Sequence, residues 1–446
     1  MFPDSTSASA KLFARAQNVM PGGGTRHPMM FPPYLIYASK AHGAYLTDVD
    51  GVERLDFINN FSCQIHGHGN AEIAEVIAEQ ARGFTSAILP TESELKLAET
   101  LQARIPSVER IRFCNSGTEA MMISVKAARG FTRRPRILKM EGGYHGQYPE
   151  LETSVNSAPS NWGSISEPNR VPLSEDTPPE LLANVVIAPF NNVDLTRKLI
   201  RKYADSLAAV VIDPLPSRMQ FVRASDDFVH MLREETAKHG ILLIFDEVYS
   251  FRVGCRGAQA AYGITADITG LGKIIGGGLP IGAVGGSEEV MAVFAGAGGG
   301  LFGARVFHGG TFTANPMSME AGRRALELLT PEAYAGLKTL GERLRSGLRE
   351  VGKQVGISLQ VLGDGSLTGI AFCKDSFDTY RDMIEKFGPR QRDYTLEFHR
   401  GMLNRGVLLG PGGVFVGSTP MTADDIDRTV KAAEGAFGDV KRLMAG

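Results

Sequence analysis

The sequence predicts an α/β fold, with a large domain on a mostly parallel sheet and a smaller α+β domain after it. Three observations carry that reading. Runs such as Leu207-Ala208-Ala209-Val210-Val211-Ile212 and Ile241-Leu242-Leu243-Ile244-Phe245 are apolar without interruption, as strands covered on both faces must be. They alternate with segments of helical period, the pattern of parallel strand–helix–strand units. Both end in a carboxylate, Asp213 and Asp246, at the strand end where open α/β sheets hold ligands.

Leu12, Phe13, Ala16, Val19 and Met20 share one face of a short helix that Pro21-Gly22-Gly23-Gly24 stops. Arg26 follows, by itself a surface arginine. Tyr45 to Phe57 reads as a hairpin turning at Asp50-Gly51. His66 and His68 lack a third ligand and read as loop residues, so no metal site is expected. Ile111 to Asn115 is a strand, and Ser116-Gly117-Thr118-Glu119 opens a helix to about Arg129. Ser116 and Glu119 have capping-box spacing. Gly117 lets a ligand approach the free N–H groups of that helix end, which favour an anion. Plain capping needs no ligand; the preceding strand and the hydroxyl of Thr118 favour a phosphate.

Arg136 to Met140 is the next strand, leading to Gly143-Tyr144-His145-Gly146, where a tyrosine between glycines can lie flat on a heteroaromatic ring. Gln147 to Pro179 is rich in Ser, Pro and Asn and reads as a long loop over the site. Strands follow at Val185–Ala188 and Leu207–Ile212, then a helix from Asp226 to about Lys238.

After Asp246 a turn region is expected, ending in Leu271-Gly272-Lys273-Ile274-Ile275-Gly276. Apolar neighbours disfavour the ammonium and push Lys273 toward the neutral amine that attacks a carbonyl. Alone, a lysine among glycines is more often a solvated turn residue. Two rival motifs fail: Ile274 stands where a phosphate loop needs Ser or Thr, and the glycine spacing does not match a dinucleotide fingerprint. A lysine that can hold a carbonyl and an acid that can keep a pyridine nitrogen protonated are together what a pyridoxal-phosphate enzyme requires.

Ile281 to Gly286 is a further strand, and the flexible run Gly296–Gly303 is a candidate cover for the site. Asn315-Pro316 marks the break before a helix reaching about Leu329. Tyr334, Leu337, Leu340, Leu344, Leu348 and Val351 form the apolar stripe of another. The last helix is capped by Thr422 and carries Ile426, Val430, Ala433 and Phe437 on one face. The expected division is 1–60, packing with the small domain, then 61–315 and 316–446.

With 446 residues, 43% of them hydrophobic, and a net charge of −2, the chain can bury a large core but offers no basic surface for nucleic acid or an anionic membrane. The four cysteines (Cys63, Cys114, Cys255, Cys373) are scattered, with neither metal-ligand nor disulfide spacing. That usage and the lack of a secretory h-region point to the cytoplasm. No stretch approaches the ~20 apolar residues of a membrane span.

The ordered set Ser116-Gly117-Thr118-Glu119-Ala120, Gly143-Tyr144-His145-Gly146, Asp213-Pro214, Asp246-Glu247-Val248, Lys273 and Gly310-Thr311-Phe312 resembles the class III aminotransferases. These are pyridoxal-phosphate enzymes of fold type I, with a seven-stranded large-domain sheet. The chain looks closest to the glutamate-1-semialdehyde aminomutase-like branch, which includes β-amino-acid aminotransferases. The resemblance implies that Lys273 carries the cofactor covalently and that Asp246 pairs with its ring nitrogen. Tyr144 would stack on one ring face and Val248 on the other, with His145 and Asp213 beside the ring. Ser116, Gly117 and Thr118 would hold the phosphate. Thr311 would reach the phosphate of a neighbouring subunit, so a homodimer is implied.

Arg26 matches a position where relatives grip a substrate carboxylate. Arg218 falls near the phenolic oxygen of the ring, to stabilise a phenolate or bind a substrate anion. Two departures stand out. Asp213-Pro214 replaces the usual Glu-Pro, and Pro411-Gly412-Gly413 lacks the arginine of relatives that act on aromatic β-amino acids. The activity implied is ping-pong amino transfer between an amine or amino acid and a keto acid or aldehyde. The alternatives are an intramolecular amine shift of the aminomutase kind and, remotely, a non-catalytic cofactor-binding protein.

Overall fold

Seven strands form the sheet of the unit Glu72–Pro331, to which Phe377–Ile384 also belongs. They are β1 (Arg110–Cys114), β2 (Arg136–Met140), β3 (Val185–Ala188), β4 (Leu207–Ile212), β5 (Leu242–Asp246), β6 (Ile268–Gly272) and β7 (Gly282–Gly286). The computed structural model describes residues 2–296 and 303–445, so most of the run expected to cover the site, 297–302, lies outside the described residues. The strand order is β1-β7-β6-β5-β4-β2-β3. Only β7 runs against its neighbours, and β6, β5, β4, β2 and β3 pair in parallel. The sheet is mostly parallel, as expected.

Every residue of β4, β5, β6 and β7 is buried. Helix α1 (Gly117–Thr132) lays Ala120, Met121, Val125 and Ala127 on one face, against Ile137, Val211, Ile244 and Val284. Helix α2 (Asp226–His239) is capped by Ser225, whose hydroxyl accepts from the Phe228 N–H, and stops at Gly240 in the left-handed conformation. Strand β6 occupies what the sequence suggests is a turn. Its two glycines and Thr269 hide the period, yet Thr269 is buried with a hydrogen bond to Ser107 at 2.9 Å.

Helix α3 (Pro316–Leu328) belongs to this unit and not to the smaller one. Ser318 donates to Pro280 O at 2.8 Å, and a Cβ on Gly322 would stand 2.9 Å from the Ile275 carbonyl carbon, so only glycine permits the contact. Backbone contacts therefore divide the chain at Ala71/Glu72 and Pro331/Glu332, later than 60 and 315.

The second unit comprises Met1–Ala71, Glu332–Ser376 and Glu385–Gly446. One sheet joins Ala38–His42, Tyr45–Asp48, Glu53–Asp56 and Val407–Leu408; another joins Gln360–Leu362, Leu367–Ala371 and Val414–Val416. Helices Pro331–Val355, Gln391–Leu403 and Ala423–Ala445 close over Phe57, Phe398, Phe415 and Phe437. Asp50-Gly51 turns the hairpin as read, and Thr422 caps the last helix by accepting from Asp425 N at 3.2 Å. The first helix spans Ala8–Gln17, earlier than its apolar spacing suggests, because Ser7 caps it; Val19 lies beyond it, 79% exposed. His68 bonds Asp56 at 2.8 Å and His66 bonds Thr419 at 3.1 Å.

Candidate active site

Parallel pairing sets the carboxyl ends of β4, β5 and β6 side by side, and each end delivers a functional group. Asp246 is the last residue of β5, in register with Gly270 of β6; Lys273 follows β6 directly, and Asp213 follows β4. Lys273 holds φ at +52°. For a residue with a Cβ this costs about 1–2 kcal/mol, and such strain concentrates at functional sites. Its Nζ stands 3.9 Å from the centre of the Tyr249 ring. Tyr249 escapes the sequence reading; its signal was its place directly after Val248.

Asp246 is 4% exposed and held at both oxygens. Oδ1 accepts from Val248 N at 3.0 Å, and Oδ2 lies 2.8 Å from His145 Nδ1. Burial pushes His145 below its ordinary pKa, against the pull of Asp246. The neutral ring with its proton on Nδ1 satisfies this contact, and its buried Nε2 has no hydrogen-bond partner among the described residues. Asp213 is driven the other way. Burial first, then the charge of Asp246, raises its pKa well above the carboxylate range. Two carboxyls this close in a dry site disfavour a second charge, and here that push falls on Asp213. Glu247 is a scaffold group. It accepts from Ala258 N at 2.7 Å and from Gln259 N at 3.0 Å, folding the next loop back.

The start of α1 closes another side. Ser116 Oγ accepts from Glu119 N at 3.1 Å, while Glu119 accepts from Asn115 N at 2.6 Å and not from Ser116 N. The capping box is therefore displaced outward by one residue. The N–H groups of Gly117 and Thr118 lie in the first turn, where a helix offers no acceptor. A Cβ at Gly117 would stand 3.0 Å from Val248 Cγ1, and one at Gly146 would stand 2.7 Å from Thr118 Cα. Thr118 Oγ1 also accepts from Gln147 N at 3.2 Å. The Tyr144-His145-Gly146 turn thus meets β5 through His145 and α1 through Gly146.

Tyr144 is 38% exposed, and burial raises its phenol pKa. Arg218 is exposed yet hemmed in by enough protein to lower its pKa, as in a cleft. Its guanidinium donates to Asn156, and no carboxylate pairs with it among the described residues. Thr311 is exposed. Before it, His308 accepts from Arg112 Nε at 2.9 Å and is pushed down to about 4, chiefly by burial. Arg26 belongs to the other unit, where it donates to Asn60 at 3.1 Å beside a left-handed run at Asn59–Ser62.

A fixed carboxylate, a lysine one strand away, and free N–H groups over a glycine-lined floor suit a planar cationic ring carrying an aldehyde and a phosphate. The class-III aminotransferase family matches residues 28–431. The chain belongs to the class III aminotransferases. It is 43% identical to an omega-transaminase from Sphaerobacter thermophilus, with a TM-score of 0.93 and 98% of each chain covered. A transaminase with pyridoxal phosphate (PLP) bound is 37% identical, at a TM-score of 0.88, with 98% and 99% covered. Glutamate-1-semialdehyde 2,1-aminomutase 1 of Listeria welshimeri is 36% identical over 436 residues, 96% of this chain and 97% of that one. Like other class III aminotransferases, this protein is a pyridoxal-phosphate enzyme. Its activity is amino-group transfer between an amine or amino acid and a carbonyl acceptor.

Proposed function

We propose that this enzyme acts between two separate substrates in a ping-pong cycle, with Lys273 as its covalent anchor and proton carrier. When bound, pyridoxal phosphate draws electrons from the substrate carbon and stores the amino group between half-reactions. Lys273 Nζ would hold the cofactor aldehyde. As a free neutral amine it would be the base that takes a proton from the substrate carbon. Asp246 stays anionic and keeps the ring nitrogen protonated; such a pair raises the ring pKa by ~1–3 units. His145 orients that carboxylate, and burial beside Asp246 drives Asp213 toward its protonated form. Tyr144 and Val248 bracket the ring, and Ser116, Gly117 and Thr118 take the phosphate.

The observation that carries this reading is the placement of Lys273 and Asp246 on adjacent strand ends, Asp246 fixed by His145 at 2.8 Å. Greater identity to an omega-transaminase than to an aminomutase favours transfer over an internal shift. A homodimer, with Thr311 completing the partner's phosphate site, is supported by exposed apolar side chains. Ile88, Leu89, Phe307 and Phe312 are 97%, 73%, 63% and 63% exposed. Asn315 donates to Thr85 O at 2.9 Å, tying the 84–89 segment to the segment that carries Thr311. Arg26 and Arg218 support at least one carboxylate-bearing substrate. Four free cysteines, and no helix among the described residues long and apolar enough to cross a membrane, fit the cytoplasm.

A donor amine given without acceptor tests the proposal. Transfer leaves the cofactor in its amine form with a stoichiometric carbonyl product in solution. A rearranged amine and no free carbonyl would establish the aminomutase reading instead.

A further inference from the structure

We propose that Arg381 and Tyr380, which the C-terminal part of the chain returns to the cofactor-binding unit, are positioning residues for Tyr144. The proposal rests on the reading of Tyr144 as the cover of one ring face. Arg381 grips Glu141 at two points: Nε is 2.8 Å from Oε2, and Nη2 is 3.2 Å from Oε1. Its other donors reach Trp162 O and Gly163 O, each at 2.8 Å, and its guanidinium lies 4.7 Å from the Trp162 ring centre. Glu141 is 1% exposed and also accepts from Ser157 Oγ at 2.9 Å. Tyr380 donates from its hydroxyl to Ser157 O at 2.8 Å.

Two of the three residues between β2 and Tyr144 take these contacts. Glu141 begins the turn, and a planar fork on a carboxylate fixes orientation as well as distance. Gly142 comes next, at φ +78°, and a Cβ there would lie 2.7 Å from Tyr380 Cγ, so the ring of Tyr380 backs the turn directly. The far side of the same loop is tied to β2, where Lys139 Nζ donates to Thr153 O at 2.6 Å. The segment Phe377–Ile384 adds no strand to the sheet. Its polar contacts here brace the turn that presents Tyr144.

The test compares holoenzymes of wild type, Tyr144→Ala, Arg381→Lys and the double variant. The readouts are the cofactor dissociation constant, the circular dichroism of the bound cofactor's visible band, and the melting temperature of the cofactor-free protein. Arg381→Lys keeps the charge and loses the fork. It is expected to weaken cofactor binding roughly tenfold and to shrink the visible dichroism in the wild-type background. In the Tyr144→Ala background it should change affinity by less than about twofold, because residues that act through one another do not add. Equal losses in both backgrounds, with or without a lower melting temperature, overturn the positioning role, as does no change in the wild-type background. If Tyr144→Ala itself keeps wild-type affinity and dichroism, the ring-cover reading fails first, and the proposal with it. Should Arg381→Lys not fold, Glu141→Gln takes its place with the same outcomes.

Discussion

Nδ1 of His145 lies 2.8 Å from Oδ2 of Asp246, with both side chains sealed from solvent. A neutral imidazole donating to a carboxylate leaves the charge on the acid and fixes the direction of its free lone pairs. Burial and the charge of Asp246 push the neighbouring Asp213 toward its protonated form.

The two acids should therefore respond differently to amidation. Asp246→Asn is expected to lower kcat by about 10- to 10³-fold, the factor equivalent to ~1–3 pKa units at the ring nitrogen. Asp213→Asn should cost less than about tenfold, because an amide resembles the protonated form toward which burial drives this acid. Linkage gives a second readout. A raised folded-state pKa is favourable below the unfolded value of 3.8 and loses its benefit as pH rises. Asp213→Asn should thus gain melting temperature relative to wild type as pH rises from 4 toward neutrality, in cofactor-free protein.

Lys273→Ala should bind cofactor reversibly and turn over at least about 10²–10⁴-fold more slowly, the usual contribution of a positioned proton carrier. Borohydride followed by peptide mapping should find the cofactor on residue 273 of wild type and on no peptide of the variant. Wild-type-like activity in the variant would remove the assignment.

Phe312→Asp should produce monomers by sedimentation velocity. A 63%-exposed phenylalanine is an apolar cost in one chain and an anchor only against another surface. If Thr311 completes the partner's phosphate site, as proposed, the monomer should bind cofactor more weakly.

Arg218→Gln should raise KM for carboxylate-bearing substrates by about 10- to 150-fold, the range of a hydrogen bond to a charged group, and leave KM for neutral amines near wild type. Equal KM values for every acid would drop Arg218 as a substrate residue.

Acid should weaken the unit that carries His399. Burial pushes this imidazole down to about 4, and it packs edge-on to Phe31 with ring centres 4.6 Å apart. A depressed folded-state pKa leaves the unfolded chain binding more protons below its ordinary value near 6.5. Stability is then intact above 6.5 and falls as pH drops toward 4, by at most about 3 kcal/mol. His399→Met should flatten that part of the profile of melting temperature against pH.

Local chemistry was legible in the chain itself. Uninterrupted apolar runs announced buried strands, a carboxylate closing such a run marked the ligand edge, and Ser116-Gly117-Thr118 announced a helix end open to an anion. Each of these signals is carried by neighbouring residues, because strand burial, capping and glycine freedom act over a few positions. The order of motifs was enough to identify the family.

Only the tertiary structure decided what depends on distance across the sequence. The strand Ile268–Gly272 became visible as a strand through its burial between two others, since glycine and threonine carry no alternating pattern. The upward push on the Asp213 pKa comes from burial and from the charge of Asp246. The pairing of His145 with Asp246 spans 101 positions, and that of Arg381 with Glu141 spans 240. Tyr249, beneath the lysine, and the bracing of the Tyr144 turn by Tyr380 are likewise products of chain return. Hydrogen bonds and ring contacts hold over a few ångströms, and only the folded path of the chain determines which residues come that close.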